Sequence, residues 1–298
     1  MMKEPKNLRA GVIGLGMIGG GVATSLIKNN RNPAVYDVIP DAAKKRNLIV
    51  EQLVSPSEVA AVSDIIMIAV FNYEQCKEVI MGKNGLLKNA HKDSVFVILS
   101  TISLDEIKEL HSICKAKGVS LLDCGVTPGT LADKNGLIAM VGGDKEVYEY
   151  AKPILDDWSG ESIYCGPSGA GMACKIARNI NTYGIWRITT EAFRLALAAG
   201  TDPATYLHVL ETADKVDNLF YKMLHVRASQ PDYRLPESMS RVAEYMEKDL
   251  NASKQLSDSL GLALPTRDNL MEYCLDTFDA NDRILVLVPT SPMQESKE

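Results

Sequence analysis

Through residue 143 the apolar positions come in short runs: Ala10 to Ile13, then PAVYDV (33–38), DIIMIAV (64–70), SVFVIL (94–99), VSLLDCGV (119–126) and LIAMVGG (137–143). Runs of this length, rich in Val and Ile, predict strands. An amphipathic helix reaching Ile27 and helical stretches near 74–81, 104–117 and 144–152 separate them. That alternation predicts an α/β fold, a mostly parallel sheet covered by helices on both faces. After IYCGPSGAG (163–171) the period changes. From Met172 to Ala199 the apolar spacing is helical, broken only by Gly184, and Gly200 follows as an expected C-cap. Such a helix would run for about seven turns. Further helical stretches are expected near 203–213, 216–228, 239–260 and 266–278, with Pro231, Pro236 and Pro265 at the breaks. The chain therefore divides, on this reading, into a doubly wound domain over residues 1–164 and an all-helical domain over 165–298, entered through the long helix.

The first strand leads straight into GLGMIG, residues 14–19, and then into a helix. This is the dinucleotide fingerprint of a Rossmann domain in its required setting. Gly14 would make the tight turn, Gly16 would let a pyrophosphate approach the backbone, and Gly19 would let helix and strand pack closely. Leu15, Met17 and Ile18 lie in the same turn. The second strand closes on Asp37, eighteen residues past Gly19. A carboxylate there hydrogen-bonds the ribose hydroxyls and repels a 2′-phosphate, so NAD is expected over NADP. A solvated strand-end carboxylate is the alternative, and Lys44, Lys45 and Arg46 on the next helix leave NADP open. Ligands of such sheets lie beyond the carboxyl ends of the strands. Those ends carry VFN (Val70, Phe71, Asn72), STIS (100–103) and GVTPGT (125–130).

The long helix opens with GAGMACKIARNI (169–180), which sets Lys175, Arg178 and Asn179 on one face, continued by Thr182 and Trp186. Two cations and an amide at that spacing form either a wet surface or the wall of a polar pocket. Composition narrows the classes. The 298 residues carry a net charge of −6, 46% hydrophobic and 23% charged residues, so no basic face for nucleic acid is expected. The uncharged stretch AGVIGLGMIGGGVATSLI (10–27) imitates a membrane span, but six of its eighteen residues are glycine. Six cysteines without a C-x-x-C pair read as reduced thiols of a cytoplasmic protein. Four histidines without metal-ligand spacing argue against zinc, and no metal is expected.

Four separated segments together resemble the β-hydroxyacid dehydrogenases, the family of 3-hydroxyisobutyrate dehydrogenase, tartronate semialdehyde reductase and, more distantly, 6-phosphogluconate dehydrogenase. They are GLGMIG with Asp37, DCGVTPGTLADKNGLIAMVGG (123–143), GAGMACKIARN (169–179) and KDLNASKQLSDSLGLALP (248–265). The resemblance implies a nicotinamide-dependent oxidoreductase acting on a CH–OH group of a small anionic substrate. It implies Lys175 as general acid/base, Asn179 as a substrate-orienting residue, and Lys248 near the cofactor. It places Ser100 and Thr101 beside the nicotinamide. Residue chemistry agrees for Lys175: an amine can take or give the hydroxyl proton if burial or a neighbouring cation such as Arg178 lowers its pKa. For Lys175 and Lys248 a solvated surface lysine is the alternative, and for Ser100–Thr101 a turn that caps the next helix.

The sequence also departs from that family. Its Ser-Gly-Gly anion cradle reads Thr127-Pro128-Gly129, and proline has no N–H to offer. The family's asparagine three residues after the lysine is Arg178. The paired change suggests that Arg178 supplies the lost anion contact to a carboxylate, phosphonate or sulfonate; a surface carboxylate partner is its alternative. Two rival functions stand beside the dehydrogenase: an imine or ketone reductase of the same fold, and an NAD-binding module without turnover. Apolar runs such as YGIW (183–186) and LFYKML (219–224) suggest a homodimer or homotetramer.

Overall fold

A computed structural model describes residues 7–216, 246–247, 250–251, 254 and 257–272. Lys248, nearly all of the helix expected near 216–228 and most of that near 239–260 lie outside them. The chain forms two compact units, Met1–Ile180 and Asn181–Glu298.

The first unit is built on strands β1 (Ala10–Ile13), β2 (Ala34–Tyr36), β3 (Ile65–Ile68), β4 (Val95–Ile98), β5 (Ser120–Thr127), β6 (Leu137–Gly142) and β7 (Ser159–Gly166). They make one sheet in the order β2-β1-β3-β4-β5-β6-β7. Every ladder is parallel except β5–β6, where Gly125 faces Met140. The helices are α1 (Met17–Lys28), α2 (Ala42–Lys45), α3 (Pro56–Val62), α4 (Tyr73–Met81), α5 (Leu104–Ala116), α6 (Lys145–Asp156) and α7 (Ala170–Ala198).

Strand alternation assigns side chains to two cores, one per face. On β3, Ile65 and Met67 join Val12, Val97 and Leu122 on one side, closed by Val22 and Leu26 of α1 and Ile154 of α6. Ile66 and Ile68 join Phe96 and Ile98 on the other, closed by Val59, Ile80, Ile107 and Met172. Strands buried on both faces read as unbroken apolar runs, which is why the interior strands are legible. Two elements escape such a reading. Strand β7, SGESIYCG, is an edge strand with Gly160 and Glu161 exposed. Helix α3 is only seven residues, opened by Ser55, whose hydroxyl accepts the Glu58 N–H.

Helix α7 meets the sheet through its first turn. The buried Asp123 carboxylate on β5 accepts the Gly169 N–H at 2.6 Å and the Met172 N–H at 2.7 Å. Burial raises its pKa, and the N–H groups around it work in the opposite direction. At Gly171 a β-carbon would lie 2.3 Å from the Met140 carbonyl and 2.9 Å from that of Asp123. Only glycine allows the helix backbone this close.

In the second unit α7 ends at Ala198, and Gly200, with a φ of +94°, makes the expected C-terminal turn. Helix α8 (Pro203–Val216) follows, with the Asp202 carboxylate accepting the Thr205 N–H. The buried Glu191 carboxylate accepts the N–H groups of Thr266 and Arg267 at the start of α9 (Pro265–Glu272). Among the described residues no helix is long and apolar enough to cross a membrane.

These contacts set an expectation for stability. Asp123→Ala leaves two buried N–H donors unpaired, and Gly171→Ala forces helix from sheet. Each should lower unfolding free energy by about 2–4 kcal/mol in urea titration. Gly184, with no atom within 4 Å of a would-be β-carbon, supplies the contrast. Gly184→Ala in the same helix should be neutral or stabilising by about 0.5–1 kcal/mol.

Candidate active site

The three fingerprint glycines do three different things. Gly14 has φ +83° and donates its N–H to the Tyr36 carbonyl at 2.8 Å, making the turn out of β1. At Gly19 a β-carbon would sit 1.9 Å from the Gly14 carbonyl, so its hydrogen is what lets α1 lie against that turn. At Gly16, the residue before α1, a β-carbon would meet nothing within 4 Å. The open space at Gly16 is where a pyrophosphate approaches the helix N-terminus in a dinucleotide fold. The residues fit that group.

Asp37 closes the other side. Its carboxylate accepts the Leu15 N–H at 2.6 Å and the Ile39 N–H at 2.8 Å. The fingerprint turn and the end of β2 are thereby tied together. Each carboxylate oxygen keeps acceptor capacity for a further donor. Leu15 itself is buried and its N–H is committed to Asp37, while the Met17 side chain is exposed. A cleft of about 320 Å³ opens here, lined by Gly14, Gly16, Asp37, Val70 and Phe71, with Gln75, Glu78 and Val79 of α4 forming its far wall.

The cleft sits where the sheet order reverses. The chain goes from β1 outward to β2, then back across β1 to β3. The turns after β1 and β3 consequently diverge and leave a crevice between them. The α4 residues carry no motif of their own; their one signal is Asn72 three residues before Gln75. The Asn72 side chain accepts the Gln75 N–H at 3.0 Å, and the Gln75 side chain accepts the Phe71 N–H at 2.9 Å. This reciprocal cap fixes the mouth of the cleft.

A second cleft, about 340 Å³, shares Phe71 with the first and is lined by Asn72, Thr101, Ser103, Glu106 and Ile176. Ser100 is buried and donates to the Val70 carbonyl at 2.6 Å. The cap of α5 is Ser103, in a full capping box with Glu106, so neither Ser100 nor Thr101 performs that task.

Lys175 is the residue before Ile176, and its stem rests on β5. A β-carbon at Gly125 would lie 2.3 Å from Lys175 Cβ and 2.9 Å from its Cγ. Four residues on, a β-carbon at Gly129 would touch Met17 Sδ at 3.2 Å and Ile18 Cδ1 at 3.3 Å. The stretch from Gly125 to Gly129 thus runs from the Lys175 stem to the fingerprint helix. It includes Thr127 and Pro128, joined by a cis peptide bond. The Pro128 carbonyl accepts the Leu131 N–H at 3.1 Å.

Lys175 is half-buried, and its amine is held below the ordinary lysine range by burial first and by the Arg178 guanidinium second. Arg178 is exposed and Asn179 half-buried. None of the three lines either cleft; Ile176 brings the helix to the second, and no residue of α7 lines the first. Gly125 and Asp123, which seat the helix, carry no signal of position at the level of single residues. Among the described residues no group of three His, Cys, Asp or Glu side chains could hold a metal ion.

Comparison with known proteins adds four findings. The family described as the NAD binding domain of 6-phosphogluconate dehydrogenase matches residues 9–166. The mitochondrial 3-hydroxyisobutyrate dehydrogenase of Mus musculus is 34% identical over 202 residues, which span 67% of this chain and 60% of that protein. The 2-hydroxy-3-oxopropionate reductase of Escherichia coli K12 is 28% identical over 269 residues, 89% of each chain. A crystal structure from Mycobacterium avium 104 superposes with a TM-score of 0.79 at 31% identity, covering 90% of this chain and 97% of that one. With its fingerprint, sheet order and helix α7, the chain belongs to the β-hydroxyacid dehydrogenase family, within the 6-phosphogluconate dehydrogenase superfamily.

Proposed function

We propose that this protein is an NAD-dependent dehydrogenase or reductase of the CH–OH group of a small anionic β-hydroxy acid or its semialdehyde. Lys175 is its general acid/base. The observation that carries the reading is the seat of Lys175: a half-buried amine, depressed by burial and by Arg178, over the glycine of a β5 segment that continues to the fingerprint helix. The names of the two relatives, a hydroxyisobutyrate dehydrogenase and an oxopropionate reductase, support the substrate class.

A bound nicotinamide supplies the hydride acceptor or donor. The chain supplies the proton chemistry. In oxidation the neutral Lys175 amine takes the hydroxyl proton as the C–H bond breaks; in reduction its ammonium returns a proton to the carbonyl oxygen. Depression of its pKa enlarges the neutral fraction near neutral pH. Asn179, one helical turn on, orients the substrate. Arg178 binds the substrate anion in place of the donor lost at Pro128. Asp37 favours NAD, because its carboxylate would face a 2′-phosphate with like charge.

The test is NADH absorbance with a panel of hydroxy acids and semialdehydes. Lys175→Ala should lower kcat about 10²–10⁴-fold while leaving NADH affinity within about twofold. Cofactor binding without turnover on any substrate would identify a non-catalytic module instead. The pH profile is a sharper check. The rate of oxidation rises as the Lys175 amine loses its proton, and the Arg178 charge holds that pKa down. Arg178→Ala should therefore move the midpoint to higher pH and raise KM for anionic substrates; an unmoved KM would remove Arg178 from substrate binding. Asp37→Asn keeps an acceptor for Leu15 but loses the charge. The ratio of NADPH to NADH affinity should rise roughly tenfold.

A further inference from the structure

We propose that Gln52 is a positioning residue for the adenosine half of the cofactor, acting through the loop that carries Asp37. This role presupposes the dinucleotide reading of the first cleft proposed above, and no particular substrate. The loop runs from Asp37, just past β2, to Ala43 in α2. Two of its residues, Asp37 and Val38, line that cleft. Its far end is anchored, because Ala42 and Ala43 are buried in the core shared with α1. Its middle is not: Val38 and Ile39 are exposed, so apolar packing fixes neither. Asp41, in the left-handed region at φ +59°, turns the chain into α2, and its own side chain makes no cap there.

Gln52 holds the middle from outside. It pairs with Val35 of β2 as an isolated parallel bridge, and the Leu53 N–H donates to the Val35 carbonyl at 2.8 Å. From there the Gln52 amide nitrogen donates to the Asp37 carbonyl at 3.1 Å and to the Ile39 carbonyl at 2.9 Å. Its amide oxygen accepts the Ala43 N–H at 3.0 Å. Both amide hydrogens and the amide oxygen are thus in use. The amide has one orientation: turned over, its oxygen would face two carbonyls and its NH₂ group an N–H. Among the described residues no other side chain from outside the loop hydrogen-bonds to its backbone.

These bonds bracket the residues that meet the cofactor. The Asp37 carboxylate accepts the Ile39 N–H, and Ile39 is also the residue whose carbonyl Gln52 holds. Gln52 therefore fixes where that carboxylate points and where Val38 stands at the cleft. A loop already in its bound shape loses no further freedom when the ribose arrives; without the amide, binding would have to order it. The Gln52 bonds reach neither the turn at Gly16 nor Lys175, so the effect is confined to the adenosine end.

The test is a binding measurement on the folded full chain, read from NADH fluorescence, with ADP and nicotinamide mononucleotide as competitors. Gln52→Met keeps the length of the side chain and removes the amide. It should raise Kd for NADH and the inhibition constant of ADP together, by about 5–20-fold, and leave nicotinamide mononucleotide within about twofold. Gln52→Glu keeps an acceptor for the Ala43 N–H but sets a carboxylate against the Asp37 and Ile39 carbonyls. At neutral pH it should bind NADH at least as poorly. A merely structural role would lower the melting temperature of both variants and leave the NADH and ADP constants within about twofold of wild type, which overturns the proposal. Equal weakening of ADP and nicotinamide mononucleotide overturns it too, because the whole site has then loosened. Wild-type protein that binds no NADH would sink the dinucleotide reading itself, whereas wild-type binding with unaltered variants sinks Gln52 alone.

Discussion

The approach of α7 to the sheet is the constraint on which the site depends. A helix normally stands off a sheet by the length of its side chains. Here Gly171 brings helix backbone against the carbonyls of Met140 and Asp123, and Gly142 makes room from the sheet side. Bare contact of this kind would leave the first N–H groups of the helix buried and unpaired. Asp123 resolves that by accepting two of them. Its negative charge also faces the positive end of the helix dipole. Desolvation opposes ionisation of a buried carboxylate, and the converging N–H groups offset it. Cap and contact are therefore one device. Without the glycine the donors would stand away from Asp123, and without Asp123 close packing would strand them.

Once the first turn is fixed, the position of Lys175 follows from helical geometry. One turn beyond Gly171 the side chain again faces the sheet, and Gly125 leaves the space that its stem fills. The cofactor side is built on the same logic with different parts. Gly19 lets α1 close on its own turn, and Asp37 ties that turn to β2. Between them lies the crevice created by the reversal of strand order. In both places glycine removes bulk and a carboxylate satisfies the N–H groups that close packing would otherwise isolate.

Legibility in the sequence follows from how much of each feature is local. The interior strands announce themselves because burial on both faces demands continuous apolar runs, as at Ile65–Ile68. The fingerprint glycines are readable because turn, approach and packing fall within six residues. Strand β7 is hidden, since an edge strand with one wet side needs no apolar run and SGESIYCG has none. Asp123 is hidden for another reason. Its partners are 46 and 49 residues away, so nothing nearby marks it as a cap rather than a surface acid. The wall of the first cleft on α4 is equally non-local: Glu78 and Val79 reach it only because β3 lies beside β1.

The pairing of Lys175 with Arg178 is unfavourable as helix design. Like charges three residues apart repel, at a cost of a few tenths of a kcal/mol. A surface helix gains nothing from that arrangement. A site that needs a neutral amine does, because the same repulsion lowers the lysine pKa. On the proposed reading the repulsion also has a use during turnover. An anionic group paired with the guanidinium would screen it and restore the amine's affinity for a proton while substrate is bound. The base would then be primed when the site is empty and strengthened when the substrate arrives. A neutral imine or ketone could not produce that change, so the proposed roles of Arg178 and Lys175 fit an anionic substrate better than an apolar one.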